Sequence, residues 1–358
     1  MFYREAGQFK TNYGSDQAVF PLLQDRIGIG AILIVAYVLI PLSGNDFLIN
    51  AIMTPFLIFT LAAIGLNILT GYTGLLSLGT GAFMGVGAYA CYKLTTFFPG
   101  VNILIWIIAS GFVSAAVGTI FGLPAVRIKG FYLAIATLAA QFFLEWFFTH
   151  IPWLFNYNVS ASIEVPQREL FSIIVTGPRA TAETRYFIVL TILVVMTWTA
   201  SNLVHGRIGR MWMAVRDMDI AAELMGIRLL PVKLLAFAVS SFYAGVAGAM
   251  LVFFWYGSAE STVFSINQSF TVLFMIIIGG LGSLVGCYLG AALIYMLPIA
   301  LRFVPPALGL PLEPATVEHV SFIVVGVLIV FFLIVEPAGL ARLWQIGKQK
   351  LRVWPFPY

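Results

Sequence analysis

Charge is what this chain has least of. Asp, Glu, Lys and Arg make up 9% of its 358 residues, where a soluble globular protein carries about 25%. So few cannot clothe a surface that faces water on every side, and lipid must be the main solvent. Cysteine is also scarce: Cys91 and Cys287 are the only two, each inside an apolar run. No CxxC or Cys/His spacing suggests a metal site, and two cysteines at lipid depth make poor disulfide partners. The phosphate-cradling GxxxxGK[ST] loop is missing, because Gly347-Lys348 is followed by Gln349. The chain therefore binds no nucleotide through a P-loop. Gly279 to Ser283, GGLGS, lacks the strand and helix of a dinucleotide site, and neither GxSxG nor HExxH occurs. Paired carboxylates are missing from the apolar runs. Glu145, one helical turn after Gln141, is the sole acidic candidate at membrane depth, and it can instead snorkel from the outer end of its span. His150, His205 and His319 stand at span borders without partners at ligand spacing.

Apolar residues fill the space these absences leave. They make up 61% of the chain, and the mean hydropathy is +0.98. Runs bounded by Gly, Pro or charge predict spans at 27–42, 47–70, 75–97, 101–125, 131–151, 185–204, 233–256, 266–280, 284–303 and 318–336. The fold class is an all-α polytopic membrane protein of about 8–10 transmembrane helices. The run 266–280 is short, leaving open a tight turn or a hairpin that does not fully emerge.

The net charge of +4 reflects basic residues clustered at span ends, not a nucleic-acid surface. With the N-terminus inside, 14 of the 19 Lys and Arg fall on inner segments, and Lys93, Arg168, Arg179, Arg185 and Arg302 remain outside. That asymmetry predicts both termini in the cytoplasm. The expected organisation is a cytoplasmic tail at 1–26, a transmembrane domain at 27–340 with an outer loop at 152–184 and a cytoplasmic loop at 205–232, and a basic tail at 341–358. Residues 1–26 lack the apolar core and cleavage site of a secretory signal and read as retained.

Two features carry functional information. The first is the loop between Gly206 and Lys233, where Arg207, Arg210, Arg216, Asp217, Asp219, Glu223 and Arg228 alternate with Trp212, Ile220, Leu224 and Met225. MDIAAELMGI has helical apolar spacing and predicts a short amphipathic helix ended by Gly226. With no energy source in the chain itself, that helix suggests a docking element for a cytoplasmic motor. The second is glycine placement. Leu69 to Ala90 holds six glycines, Gly71, Gly74, Gly79, Gly81, Gly85 and Gly87, each costing about 1 kcal/mol in a helix interior. Close helix packing at Gly81 and Gly85 explains part of this. A broken helix lining a polar path with Tyr72, Thr73, Ser77 and Thr80 is the alternative. Gly282, Gly286 and Gly290 repeat the packing spacing. Asn67, Thr137, Gln141, Ser240, Ser241, Tyr243 and Thr271 are further polar residues that face either a path or a neighbouring helix.

Five blocks then match a known family: ILTGYTGLLSLGTGAFMGVGAYA (68–90), AVRIKGFYLAIATLA (125–139), Gly206 to Met250, IIIGGLGSLVGCYLGA (276–291) and EPAGLARL (336–343). The chain resembles the permeases of branched-chain amino acid ABC importers, the LivH/LivM family, and is nearer the LivM branch. The resemblance implies a non-enzymatic permease bundle in the bacterial inner membrane, paired with a second, LivH-like permease. It also implies two cytoplasmic ATPases that carry ATP and Mg, and a periplasmic solute-binding protein; this chain would bind no cofactor of its own. Ala221-Ala222-Glu223 with Gly226 is similar to the loop through which importer permeases dock their ATPase. That makes Arg216, Asp217, Ala222, Glu223 and Gly226 the candidate coupling residues. Asn67, Tyr72, Thr73, Ser77, Thr80, Gln141 and Ser240 are candidates for the path. One position departs: family members commonly carry His where this chain has Thr80, and relatives move aliphatic amino acids, urea, amides or aromatic acids. An autonomous secondary carrier is the competing reading, and it would need an intramembrane charge. A lipid-handling or intramembrane enzyme would need clustered catalytic groups, which the sequence does not offer.

Overall fold

The computed structural model describes residues 23–42, 44–127, 132–158, 160, 162–170, 173–177, 179–307, 314–336 and 338–353. Most of the expected 1–26 tail therefore lies outside the described residues. Among those described, eight helices are long and apolar enough to cross a membrane. They are α1 (Asp25–Leu42), α2 (Leu48–Tyr72), α4 (Ile103–Arg127), α5 (Tyr132–His150), α6 (Ala182–His205), α9 (Leu229–Tyr256), α10 (Ser261–Gly279) and α11 (Leu284–Ala307). A further apolar helix, α12 (Pro314–Val335), turns by 60° into the amphipathic α13 (Gly339–Val353). Between α2 and α4 lies α3 (Thr80–Phe97), diluted by glycine and Lys93. Two short helices, α7 (Arg207–Asp217) and α8 (Asp219–Leu224), join α6 to α9.

The chain is an all-helical polytopic membrane protein. Its only strands among the described residues are two-residue pairs at one end of the bundle: β1 (Ile163–Glu164), β2 (Glu169–Leu170), β3 (Ile173–Ile174) and β4 (Ser258–Ala259). β1 pairs antiparallel with β4, setting Ile163 opposite Ala259, and β2 pairs with β3. This is the β end; α7, α8 and α13 occupy the opposite end.

The centre of the bundle is α9 against α2, α3 and α4. Lipid offers apolar side chains no less than a protein core does, so helices gain from close backbone packing and interhelical hydrogen bonds. The sequence supplies that closeness with glycine. A methyl on Gly87 of α3 would overlap the backbone of Gly245 in α9, and one on Gly290 of α11 would overlap Met275 in α10. At Gly286 the added carbon would sit 2.7 Å from the Gly279 carbonyl oxygen, and at Gly85 2.6 Å from the Phe148 ring. Gly81 is slightly less confined, 3.0 Å from the Ser265 carbonyl oxygen.

One expectation changes and another is extended. The run 75–97 is not one helix: Thr73–Gly79 is irregular and α3 begins at Thr80. Gly74, at φ +74°, turns the chain out of α2, a conformation open to glycine at no steric cost. The short helix expected over MDIAAELMGI is α8, ended by Gly226 as expected, and a second helix, α7, precedes it, divided from it at Met218, which is extended at φ −160°. The short 266–280 run gains a lead-in turn from Ser261 and becomes a 19-residue candidate span, joined to α11 by a tight turn.

Candidate coupling site and broken span

At the α7–α8 end, the amphipathic segment is strapped down by its buried face. Trp212 is fully buried and donates its indole N–H to the Val232 carbonyl at 3.1 Å. Lys233 of α9 pairs with Asp219 of α8 at 2.7 Å. Ala222 is fully buried beneath α8. Gly226 stops the helix at φ +88°: its N–H donates to the Glu223 carbonyl at 2.9 Å, and the Ile227 N–H reaches back to Ala222 at 3.0 Å. These are the two bonds of a Schellman motif, which satisfies the orphan carbonyls at a helix end. What remains outside mixes charge with large apolar side chains. Met218, Ile220, Leu224 and Met225 are exposed, Leu224 by 84%, with exposed Glu223 among them.

Arg216 connects this segment to the spans. Its guanidinium donates to the Gly71 carbonyl at 3.0 Å, and to the Asp217 carboxylate at 2.9 Å. Gly71 is the penultimate residue of α2, where the chain is about to leave the helix. Two left-handed glycines accommodate the arginine: a carbon on Gly74 would lie 3.0 Å from the Arg216 Cγ, and one on Gly282 would lie 3.3 Å from its Nη1. One cation thus touches α7, the end of α2, the broken segment and the α10–α11 turn. Asn67 reinforces the same junction: its amide accepts from the Gly282 N–H at 2.9 Å and donates to the Ser283 carbonyl at 3.0 Å and the Cys287 sulfur at 3.2 Å.

The break itself is bound from neighbouring helices. The first N–H groups of a helix have no intrahelical partner, and α3 begins in the bundle interior, away from water. Gln141 of α5 and Ser269 of α10 take over. The Ala82 N–H donates to Gln141 Oε1 at 2.7 Å, and the Gly81 N–H to Ser269 Oγ at 2.8 Å. Ser269 donates in turn to Gln141 Oε1 at 3.0 Å, while Gln141 Nε2 donates to the Phe264 carbonyl at 2.7 Å. Below them, the Leu78 N–H donates to Thr137 Oγ1 at 3.0 Å. Side chains of two other helices therefore cap α3, which is how an irregular segment survives inside a bundle.

The remaining candidates are buried in this conformation. Thr73 donates to the Ile68 carbonyl at 3.1 Å, and Ser77 accepts from the Gly79 N–H at 3.4 Å. Tyr72, Thr80 and Ser240 are enclosed. Asn67 and Gln141 are engaged in helix contacts, so the path candidates do not converge on one open channel within this chain. Ser269 was not among the residues singled out by the sequence; a lone Ser in an apolar helix gives little signal until its partner is known. Glu145 is half-exposed five residues before the end of α5, away from that network.

The arrangement is that of a helical bundle with an external handle, and comparison with known proteins agrees. A family model described as branched-chain amino acid transport system / permease component matches residues 48–333. The chain belongs to this family. The permease is 28% identical over 307 residues to the high-affinity branched-chain amino acid transport permease LivM of Salmonella typhimurium, covering 81% of this chain and 69% of that one. It is 27% identical to LivM of Escherichia coli over 312 residues with the same coverage. The probable LivM of Methanocaldococcus jannaschii is 24% identical over 332 residues, 82% of this chain and 93% of the relative. No solved structure matches. The matched region starts at α2 and ends within α12, so it encloses both the Arg216 junction and the capped break of this permease.

Proposed function

We propose that this permease is the LivM-like half of an ABC importer for branched-chain or related hydrophobic amino acids. In this reading it pairs with a LivH-like permease, is fed by a periplasmic binding protein, and is driven by two cytoplasmic ATPases that bind ATP and Mg. It sits in a bacterial inner membrane with both termini and α7–α8 in the cytoplasm, as the distribution of Lys and Arg supports. The observation that carries the reading is the α7–α8 handle: a segment fixed on one face by Trp212, Ala222 and Lys233, and apolar on the other at Ile220, Leu224 and Met225. Water gains nothing from that outer face, whereas an ATPase groove would bury it. Closure of the ATPase pair displaces the handle, and Arg216 transmits the displacement to the end of α2 and the Gly282 turn. The broken segment between α2 and α3 then changes the packing of the bundle. The secondary-carrier alternative has less support: among the described residues no acidic side chain is buried, and the buried cation, Lys93, is held by Asn156 of the outer loop.

Co-purification tests the docking face. The tagged permease, expressed with its partners, is expected to retain two ATPases and the second permease. Leu224→Asp is expected to lose the ATPases and keep the second permease, because a carboxylate at an exposed position leaves the bundle intact. Full ATPase retention by Leu224→Asp would remove α8 from the interface.

A further inference from the structure

A cavity of about 960 Å³ opens between α2, α9, α10, α11 and α12, far from the Arg216 junction. Its walls are rich in aromatic rings. The Phe270 and Phe274 rings stack at 6.0 Å, and Phe59 packs against Tyr295 at 5.8 Å. Tyr295 gives its hydroxyl to the Ala51 carbonyl at 2.8 Å, which leaves its ring as part of the wall. Charge is confined to one end. Asn267 and Arg302 lie toward the β end, while Met275 and Ile294 line the cavity nearer the middle of the same two helices. Each pair is separated by a little over two helical turns, or about 12 Å of rise. That length is close to the ~15 Å of hydrocarbon in one leaflet.

Arg302 is the only charged residue among the described lining residues, it is exposed, and it forms no ion pair among them. A lone guanidinium at headgroup depth, above an apolar cleft one leaflet deep, has the complementarity of an anionic amphiphile. Its planar donors suit phosphate oxygens. The volume is at the upper limit of what encloses a drug-sized molecule, leaving room for acyl chains. A helix of a partner protein would set an apolar surface against the guanidinium and leave it unmatched. We propose that this cleft is a binding site for an anionic glycerophospholipid of the leaflet at the β end. Its acyl chains would lie between Phe59, Phe270 and Phe274, and its phosphate at Arg302.

Native mass spectrometry of the assembled, delipidated complex, titrated with palmitoyl-oleoyl phosphatidylglycerol or the matching phosphatidylcholine, tests this directly. Phosphatidylglycerol should bind the wild type more tightly than phosphatidylcholine. Arg302→Gln should weaken phosphatidylglycerol about fivefold, the equivalent of one basic residue near a membrane surface, and phosphatidylcholine by less, because its choline already offsets the phosphate charge. Arg302→Lys should keep most of the preference. Thr271→Trp, which fills the cleft, should reduce both lipids. Equal binding of the two lipids, or phosphatidylglycerol binding unaffected by both Arg302→Gln and Thr271→Trp, would overturn the site. So would displacement of bound phosphatidylglycerol by leucine, or a cross-link from Thr271→Cys to the second permease.

Discussion

Replacing Arg216 by Ala is expected to lower ATP-dependent amino acid uptake by the assembled importer about tenfold or more, while ATP hydrolysis persists. The structure separates the two effects. In the proposed reading the docking surface is Ile220, Leu224 and Met225, exposed along and just after α8, whereas Arg216 reaches the Gly71 carbonyl at 3.0 Å. Removing it leaves the handle anchored by Trp212 and Lys233 and deletes the link to α2. A hydrogen bond from a charged donor contributes about 1.5–3 kcal/mol, and each ~1.4 kcal/mol is a factor of ten in an equilibrium between bundle states. Arg216→Lys should fall between: it keeps the charge but cannot hold Asp217 and Gly71 in the same fork. Paired uptake and hydrolysis assays on one proteoliposome preparation decide the matter. Equal loss of both activities would place Arg216 in docking, and unchanged uptake would remove it from coupling.

Gln141→Leu should be among the most destabilising single changes in the bundle. It strands the Ala82 N–H and the Phe264 carbonyl and removes the acceptor of Ser269. Each buried orphan costs about 1–3 kcal/mol, so a loss of about 3–5 kcal/mol is expected. In a thermal melt of the detergent-solubilised protein this corresponds to a midpoint lower by roughly 5 °C, because the unfolding entropy scales with chain length. Gln141→Glu keeps the acceptor for Ala82 and Ser269, and in its protonated form its O–H can donate to the Phe264 carbonyl, so it should lose less than Gln141→Leu. A midpoint within about a degree of wild type for Gln141→Leu would mean that α3 is not capped from α5.

These two residues also show what the sequence could disclose. Helix identity and approximate span limits follow from apolar run length, and Gly286 and Gly290 announce close packing through their spacing alone. The handle was visible as charge mixed with Met, Trp and Leu, and Gly226 as the end of its helix. Its division at Met218 was not, because one extended residue leaves no trace in an apolar pattern. Six glycines between Leu69 and Ala90 left packing and a broken helix as alternatives, and the structure contains both: irregular backbone at Thr73–Gly79, then tight packing at Gly81, Gly85 and Gly87. The polar residues were harder. Asn67 and Gln141 stand out in an apolar sequence, yet their roles depend on partners 215 and 128 positions away, Gly282 and Ser269. No local pattern distinguishes a glutamine that caps a distant helix from one that lines a path. The cleft around Arg302 is formed by five helices at once and was equally invisible.

The most direct test of the central claim is the ATP requirement of leucine uptake by the reconstituted complex. Wild-type complex should accumulate leucine only when ATP reaches the α7–α8 side and the binding protein is present on the β side, and Leu224→Asp complex should accumulate none. If this chain alone in liposomes moves leucine at the same rate without ATP or ATPases, the handle is not a coupling element and the permease is an autonomous carrier.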